Sequence, residues 1–405
     1  MKIAVDATVL WGMNRYSGVE KVVDRCVCRL LRDPRGHEFR VFVPSDWAGF
    51  EEGSAEGDNG KADASICRLP FPGSKKIRRI LWQQIVFPLA LRRWRADVVL
   101  CPAYVAPLLA PCPMILLVHD LHGLRLDRTR MENYLHHRIV LIPGIRRSAA
   151  VIATTRAVME EIQPYLADGC RRIIAPLGVD TAFSPLPFES ENQQAANPTT
   201  GNPTPGAGVS ARDVPNLTSD ERVSRFLHLH THPFVLFVGN LERRKGLELL
   251  LDASALLHQS HPTLTVVMAG KDRGLREKLL KDIDRLKLCE VVILPGFVQA
   301  PDLLDLYRHA AVVVQPSLAE GFGIPPLEAM ACGAPVVAVD SPALRENLGD
   351  AALFSAADAT SLAGALARVL DDGSYRRRLI ENGLRVSSHF TWERTTEAIR
   401  TAITG

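Results

Sequence analysis

The chain has 405 residues, 47% hydrophobic and 23% charged, a length that exceeds one comfortable core and predicts two globular domains. A formal charge of only +3 excludes a nucleic-acid binder that works by bulk charge. Eight cysteines without a Cys-x-x-Cys pair exclude a disulfide scaffold and read as reduced core residues of a cytosolic protein. Neither His136-His137 nor the His228/His230/His232 cluster has a cysteine at zinc spacing, so no metal site is predicted there.

The opening Met1-Lys-Ile-Ala-Val-Asp-Ala reads as a strand and not as a signal peptide. No apolar run reaches the roughly 18 residues of a spanning helix. The expected location is therefore cytoplasmic, at most peripheral at the inner face of a membrane. A strand is predicted over Lys2–Val9, then a Gly12–Gly18 loop and a helix from Val19 to Leu31. Further strands are predicted at Phe39–Val43, Val98–Cys101, Met114–Val118, Val151–Ala153 and Ile173–Ala175. Apolar runs alternating with helical patterns imply parallel βαβ units. Residues 75–95 are basic at both ends and apolar between. They read either as an element lying on anionic lipid or as a core helix whose charged ends reach water.

Residues 186–222 are poor in apolar residues and rich in Pro, Gly and Asn, and read as an insertion or linker without a core of its own. A second alternating series follows. Its strands are Phe234–Val238, Leu264–Met268, Val291–Leu294, Ala311–Val314 and Val336–Val339. Its helices are Gly246–His258, Arg276–Lys287, Asp302–His309, Pro326–Ala331 and Ser361–Leu370. Tyr375–Ser387 and Thr391–Ile403 close the chain, with Thr391 as N-cap. The predicted class is α/β, with two Rossmann-like doubly wound domains facing a cleft. The predicted division is 1–185, a linker at 186–230, a second domain at 231–385, and a C-terminal helix at 386–405.

Chemistry concentrates in Pro316-Ser-Leu-Ala-Glu320-Gly-Phe-Gly-Ile-Pro-Pro-Leu-Glu328. The run before it, Ala310-Ala-Val-Val-Val-Gln, reads as a buried parallel strand. Strand, glycine loop and helix N-terminus offer backbone N–H groups and a positive dipole end to an anion. Two carboxylates beside such a site suit hydroxyl groups, as a sugar supplies. Arg244 and Lys245 also follow a strand and precede a helix, where a diphosphate could meet them. The plain alternative for Arg243-Arg244-Lys245 is a solvated charge cluster. Glu328 reads alternatively as a first-turn carboxylate that stabilises the helix dipole.

These segments resemble glycosyltransferase family 4, retaining enzymes of the GT-B fold, in which two glutamates are separated by seven residues. Val238-Gly-Asn-Leu-Glu-Arg-Arg244-Lys245-Gly resembles the family's phosphate loop, in the version that carries Glu-Pro-Arg-Lys. Ala175-Pro-Leu-Gly178-Val-Asp180 resembles the end of its first domain, and Val118-His119-Asp120-Leu its first-domain strand end. The resemblance implies catalytic roles for Glu320, His119 and Asp120. It implies donor contacts from Gly18, Arg244, Lys245, Phe297, Val298, Gly321, Phe322, Gly323, Ile324 and Glu328. It also implies a C-terminal helix crossing back to the first domain.

The resulting expectation is a retaining transferase that moves a hexose, mannose first, from a nucleotide-diphosphate sugar to a glycan or lipid-linked acceptor. No cofactor or metal is expected beyond that co-substrate, because the only Asp-x-Asp, Asp282-Ile-Asp284, falls inside a predicted helix. Nucleic acid is not an expected partner. The alternatives are an epimerase or phosphorylase on the same fold, and a non-catalytic scaffold that binds sugar nucleotides.

Overall fold

The computed structural model describes residues 1–10, 18–45, 47, 49–50, 65–69, 76–103, 106–125, 134–135, 137–186 and 232–405. Residues 187–230 of the predicted 186–230 linker, the loop residues before Gly18 and most of 51–75 lie outside the described residues. The chain forms two compact units. One comprises Met1–Gly178, Glu320–Ile324 and Phe390–Gly405, the other Val179–Ala319 and Pro325–His389.

The first unit is built on strands β1 (Lys2–Asp6), β2 (Glu38–Pro44), β3 (Ile66–Leu69), β4 (Val98–Cys101), β5 (Met114–Val118), β6 (Ala150–Ala153) and β7 (Arg171–Ile174). Their order is β3-β2-β1-β4-β5-β6-β7, parallel throughout. The strands β4, β5 and β6 are buried at every position. A parallel sheet is covered on both faces, so its central strands are apolar runs and were readable as such. The edge strand β3 was not foreseen. Ile-Cys-Arg-Leu pairs on one side only and carries an exposed Arg68, so it shows no apolar run.

The Gly18–Arg32 helix buries Val22, Val23, Cys26, Val27 and Leu30, the i, i+3, i+4 pattern of one core face. The predicted basic-apolar stretch forms the Lys76–Trp94 helix. Trp82, Phe87, Leu91 and Trp94 enter the core, with Phe87 edge-on to Phe42 at 5.1 Å. Leu81, Ile85 and Leu89 do not: they are 55%, 58% and 59% exposed. The core-helix reading thus describes one face of this helix, and the other face leaves an apolar row exposed.

The second unit carries β8 (Phe234–Val238), β9 (Thr265–Ala269), β10 (Val292–Gly296), β11 (Val312–Gln315), β12 (Val336–Val339) and β13 (Ala352–Ser355). Their order is β10-β9-β8-β11-β12-β13, again all parallel. As in the first unit, the strand missed by sequence reading, β13, is an edge. No disulfide joins any of the eight cysteines.

The units divide at Gly178/Val179, earlier than the expected 185. The reason is local: Arg308 Nε donates to the Ser184 carbonyl at 2.8 Å, and Phe183 meets Tyr307 edge-on at 5.8 Å, which ties the segment after Gly178 to the second unit. At the other end, the Gly373–Ser387 helix stays with the second unit, where Gly383 packs on Met330. The return to the first unit starts at Phe390, not at 386.

The Trp392–Thr404 helix is capped by Thr391, whose hydroxyl accepts from Arg394 N at 3.3 Å. It packs on the first unit as expected. The Thr395 hydroxyl donates to the Pro176 carbonyl at 2.6 Å, Arg29 pairs with Glu393 at 2.9 Å, and Arg171 donates to the Ala402 carbonyl at 2.7 Å. Gly178 explains part of its motif. A Cβ there would collide with the backbone nitrogen of Trp392, so only glycine admits the helix start.

Candidate active site

In the second unit, β8 leads through Gly239-Asn240-Leu241-Glu242 into a single 3₁₀ turn, Arg243–Lys245. Gly246 ends the turn with φ of 67° and starts the Leu247–Ser260 helix. Two constraints make it glycine: the left-handed backbone, and a Cβ position that would overlap the Pro316 carbonyl oxygen. Beside that contact, Leu318 N donates to the Arg244 carbonyl at 2.9 Å. The basic turn is therefore clasped to the loop that follows β11 and leads to Glu320. Two motifs some seventy-five residues apart in sequence form one structure.

The cations of this turn have different fates. Lys245 is buried, only 6% exposed. The Arg244 guanidinium pairs with Glu242 at 2.8 Å and reaches the Ala319 carbonyl at 3.5 Å. A solvated charge cluster therefore describes neither residue.

Glu328 lies on the Ile324–Ala331 helix, which has no acid in its first turn. The reading of Glu328 as a first-turn dipole partner is thus corrected, because the helix begins at Ile324, ahead of the Pro-Pro pair. Glu328 is 5% exposed and accepts from the Tyr307 hydroxyl at 3.1 Å. Burial first, then the Glu328 charge, holds the Tyr307 phenol well above its usual range, so it remains a donor. Sequence reading missed Tyr307, whose helical spacing looks like an ordinary core position.

Strand β10 extends through Gly296, which pairs with Ala269 and has φ of 76°, beyond the predicted end at Leu294. Phe297 and Val298 follow it directly. Phe297 is half-buried with the Lys271 ammonium 5.4 Å from its ring centre, and Val298 is buried.

The first unit gathers a second set. Gly321 packs on the carbonyl of His119, too closely for any Cβ, and Gly18 lies where a Cβ would meet Ile324 at 3.5 Å. Phe322 meets Phe390 edge-on at 5.8 Å, and Gly323 takes φ of 88°. The hydroxyls of Thr154 and Thr155 donate to the Gly321 carbonyl at 3.1 and 3.3 Å. Thr155 also caps the Arg156–Ile162 helix. These threonines were missed, although their place at the end of β6 was a usable signal.

His119 directly follows β5 and is buried. Its Nε2 lies 3.0 Å from the Pro102 carbonyl, which can only accept, so Nε2 carries the proton and Nδ1 is the basic nitrogen. Burial pushes its pKa below the ordinary histidine value of 6.5, against a smaller opposing effect of the Pro102 hydrogen bond. Asp120 Oδ1 accepts from His122 N at 3.2 Å, which turns the chain away from the strand.

Asp282 is engaged by Lys278 at 3.2 Å and Arg285 at 3.2 Å on the face of the Arg276–Arg285 helix. Among the described residues, no cluster of three His, Cys, Asp or Glu side chains is arranged to hold a metal ion.

Two parallel doubly wound sheets with a returning C-terminal helix define the GT-B class. The Glycosyltransferase Family 4 profile matches residues 16–183, and the Glycosyl transferases group 1 profile matches residues 220–386. With both halves matched, the chain belongs to glycosyltransferase family 4. It is 32% identical over 299 residues to the serotype-specific mannosyltransferase WbdA of Escherichia coli, across 70% of this chain and 32% of that protein. It is 34% identical over 176 residues to the D-inositol 3-phosphate glycosyltransferase of Acidothermus cellulolyticus, across 41% of this chain and 39% of that one. The chain thus spans well under half the length of these relatives. The crystal structure of WaaG, a glycosyltransferase involved in lipopolysaccharide biosynthesis, superposes with a TM-score of 0.70 at 16% identity over all of both chains, a likeness of fold.

Proposed function

We propose that this protein is a retaining glycosyltransferase that moves a hexose from a nucleotide-diphosphate sugar to a glycan or lipid-linked acceptor, without a metal ion. The observation that carries this reading is the clasp between the Arg243–Lys245 turn and the loop leading to Glu320. A buried lysine in a turn clasped to the loop after β11 suits a leaving diphosphate. Cleavage of the bond between the anomeric carbon and the phosphate oxygen leaves positive charge on the sugar and negative charge on the diphosphate. Lys245, supported by Arg244 and the amides of Gly321, Phe322, Gly323 and Ile324, stabilises that negative charge. Glu320 acts at the sugar. Glu328, oriented by Tyr307, accepts the ribose hydroxyls, while Phe297 and Val298 border the base. On the first unit, the Gly18 amide serves the diphosphate, and His119 and Asp120 serve the sugar and the acceptor.

Mannose from a GDP donor is the first sugar to test. Relatives named as mannosyltransferases and the Glu242-Arg-Arg-Lys turn support it. The exposed apolar row of the Lys76–Trp94 helix supports a place at the inner membrane surface, where a lipid-linked acceptor would be met. Among the described residues no helix is long and apolar enough to cross a membrane.

The test is donor consumption across a panel of nucleotide sugars, with and without EDTA, followed by the anomeric configuration of the product. Transfer from GDP-mannose that survives chelation and retains configuration is expected. Strict dependence on added magnesium or manganese would remove the metal-free reading. Isomerised donor without transfer would indicate an epimerase, and binding without turnover a scaffold.

A further inference from the structure

The first unit carries a second concentration of cations, on strands and a helix that hold none of the residues assigned above to the donor. A pocket of about 360 Å³ is bordered by Lys2, Arg40, Arg93 and Arg95 over a floor that includes Phe42 and Trp94. The Arg40 guanidinium lies 4.8 Å from the Trp94 ring centre and the Lys2 ammonium 5.8 Å from it. The aromatic ring thus holds two cations on one wall. The acids nearby are few. Glu38 stands 4.0 Å from the Lys2 ammonium, and Asp97 accepts from the Lys2 backbone N–H at 2.6 Å. Among the described residues no carboxylate pairs with Arg40, Arg93 or Arg95. Like charges that outnumber their counter-charges repel one another, and an anion relieves that repulsion.

The backbone adds an independent sign. Arg95 sits just past the end of the Lys76–Trp94 helix with φ of 56°, in the left-handed region where glycine or asparagine is the unstrained choice. Arg95 N donates to the Arg92 carbonyl and Ala96 N to the Leu91 carbonyl, so the turn itself asks only for a left-handed residue. An arginine there gains nothing for the turn, but it puts a guanidinium at the pocket.

The position along the helix selects the ligand. Leu81, Ile85, Leu89 and Arg93 recur every fourth residue, so the exposed apolar row runs straight into the cationic pocket. Apolar side chains followed by a cationic hollow match the order of acyl chain and phosphate in a lipid. We infer that the Lys2/Arg40/Arg93/Arg95 pocket binds the phosphate of an anionic lipid headgroup. This rests on the reading of the Lys76–Trp94 helix as membrane-facing.

The test is co-sedimentation of the full chain with phosphatidylcholine vesicles, with and without phosphatidic acid. Wild type, Arg40→Gln, Arg95→Gly and the double variant Ile85→Ser/Leu89→Ser are compared. Arg95→Gly relieves the backbone, so it keeps the fold, and thermal melting verifies this for every variant. Wild type is expected to prefer phosphatidic acid vesicles, and each lost cation to weaken that binding about fivefold. Turnover on a soluble acceptor should be unchanged in both arginine variants. If Ile85→Ser/Leu89→Ser abolishes binding while Arg40→Gln and Arg95→Gly leave it intact, the membrane reading stands and the pocket is refuted. If no vesicle binds, but inorganic phosphate raises the melting temperature of wild type and not of Arg95→Gly, the lipid source is refuted in favour of a soluble phosphate.

Discussion

The two basic regions of this protein use charge in opposite ways. In the second unit, Lys245 is withdrawn from water in a turn clasped to the loop leading to Glu320. In the first unit, Arg93 and Arg95 stand exposed at the border of a pocket. Burying a cation costs several kcal/mol unless an anion or hydrogen-bond acceptors compensate it. On the proposed reading, Lys245 meets an anion that arrives at one fixed place and whose charge changes during reaction. Exposed arginines are inexpensive singly and act through their number, which suits capture at a surface. Under the proposed roles, position more than charge count distinguishes the two regions.

Lys245→Ala tests this contrast most severely. Loss of one charge-assisted contact of about 1.5–3 kcal/mol lowers kcat/KM roughly tenfold to more than a hundredfold. The melting temperature should hold, since a buried charge is removed as well. Steady-state kinetics on a folded variant is the check, and unchanged efficiency would dissolve the distinction between the two regions.

The two glutamates should separate next. Glu320→Gln is expected to lower kcat more than donor affinity, because it acts where charge develops. Glu328→Ala should mainly raise KM for the donor. It also strands the buried Tyr307 hydroxyl, at a stability cost of about 1–3 kcal/mol. An inverted split of kcat and KM effects would mean the two roles are exchanged.

Gly178→Ala probes the framework instead of the chemistry. Its Cβ would overlap the Trp392 backbone, and overpacking of this kind costs about 1–3 kcal/mol. Thermal melting should fall for this variant, whereas the arginine variants of the pocket should melt as wild type.

The smallest expected effect is a pH dependence from His119. Its folded pKa is lowered by burial, so the unfolded chain takes up the proton first as pH falls. At neutral pH both states are unprotonated and the residue adds nothing. Below about 6.5 the unfolded state gains the proton alone, and stability declines until the lower folded pKa is reached. Denaturant unfolding of wild type and His119→Gln between neutral and mildly acidic pH should show a shallower decline in the variant.

Much of this fold was legible in the sequence. Buried parallel strands must be apolar at successive positions, so β4, β5, β8 and β12 could be read with their ends in place. The glycine loop before Ile324 and the Thr391 cap were readable for the same reason: each is a local requirement written in residue type. The edge strands β3 and β13 escaped because a strand paired on one side needs no apolar run. Beyond local requirements, only the tertiary structure decided. It set Tyr307 against Glu328, Thr154 and Thr155 against Gly321, and the Arg243–Lys245 turn against the loop after β11. It also aligned the exposed row of the Lys76–Trp94 helix with cations from β1 and β2. Contacts of this kind join residues far apart in the chain. Periodicity and spacing report only which face of an element is buried, and the partner that buries it is fixed by how the sheets and helices pack.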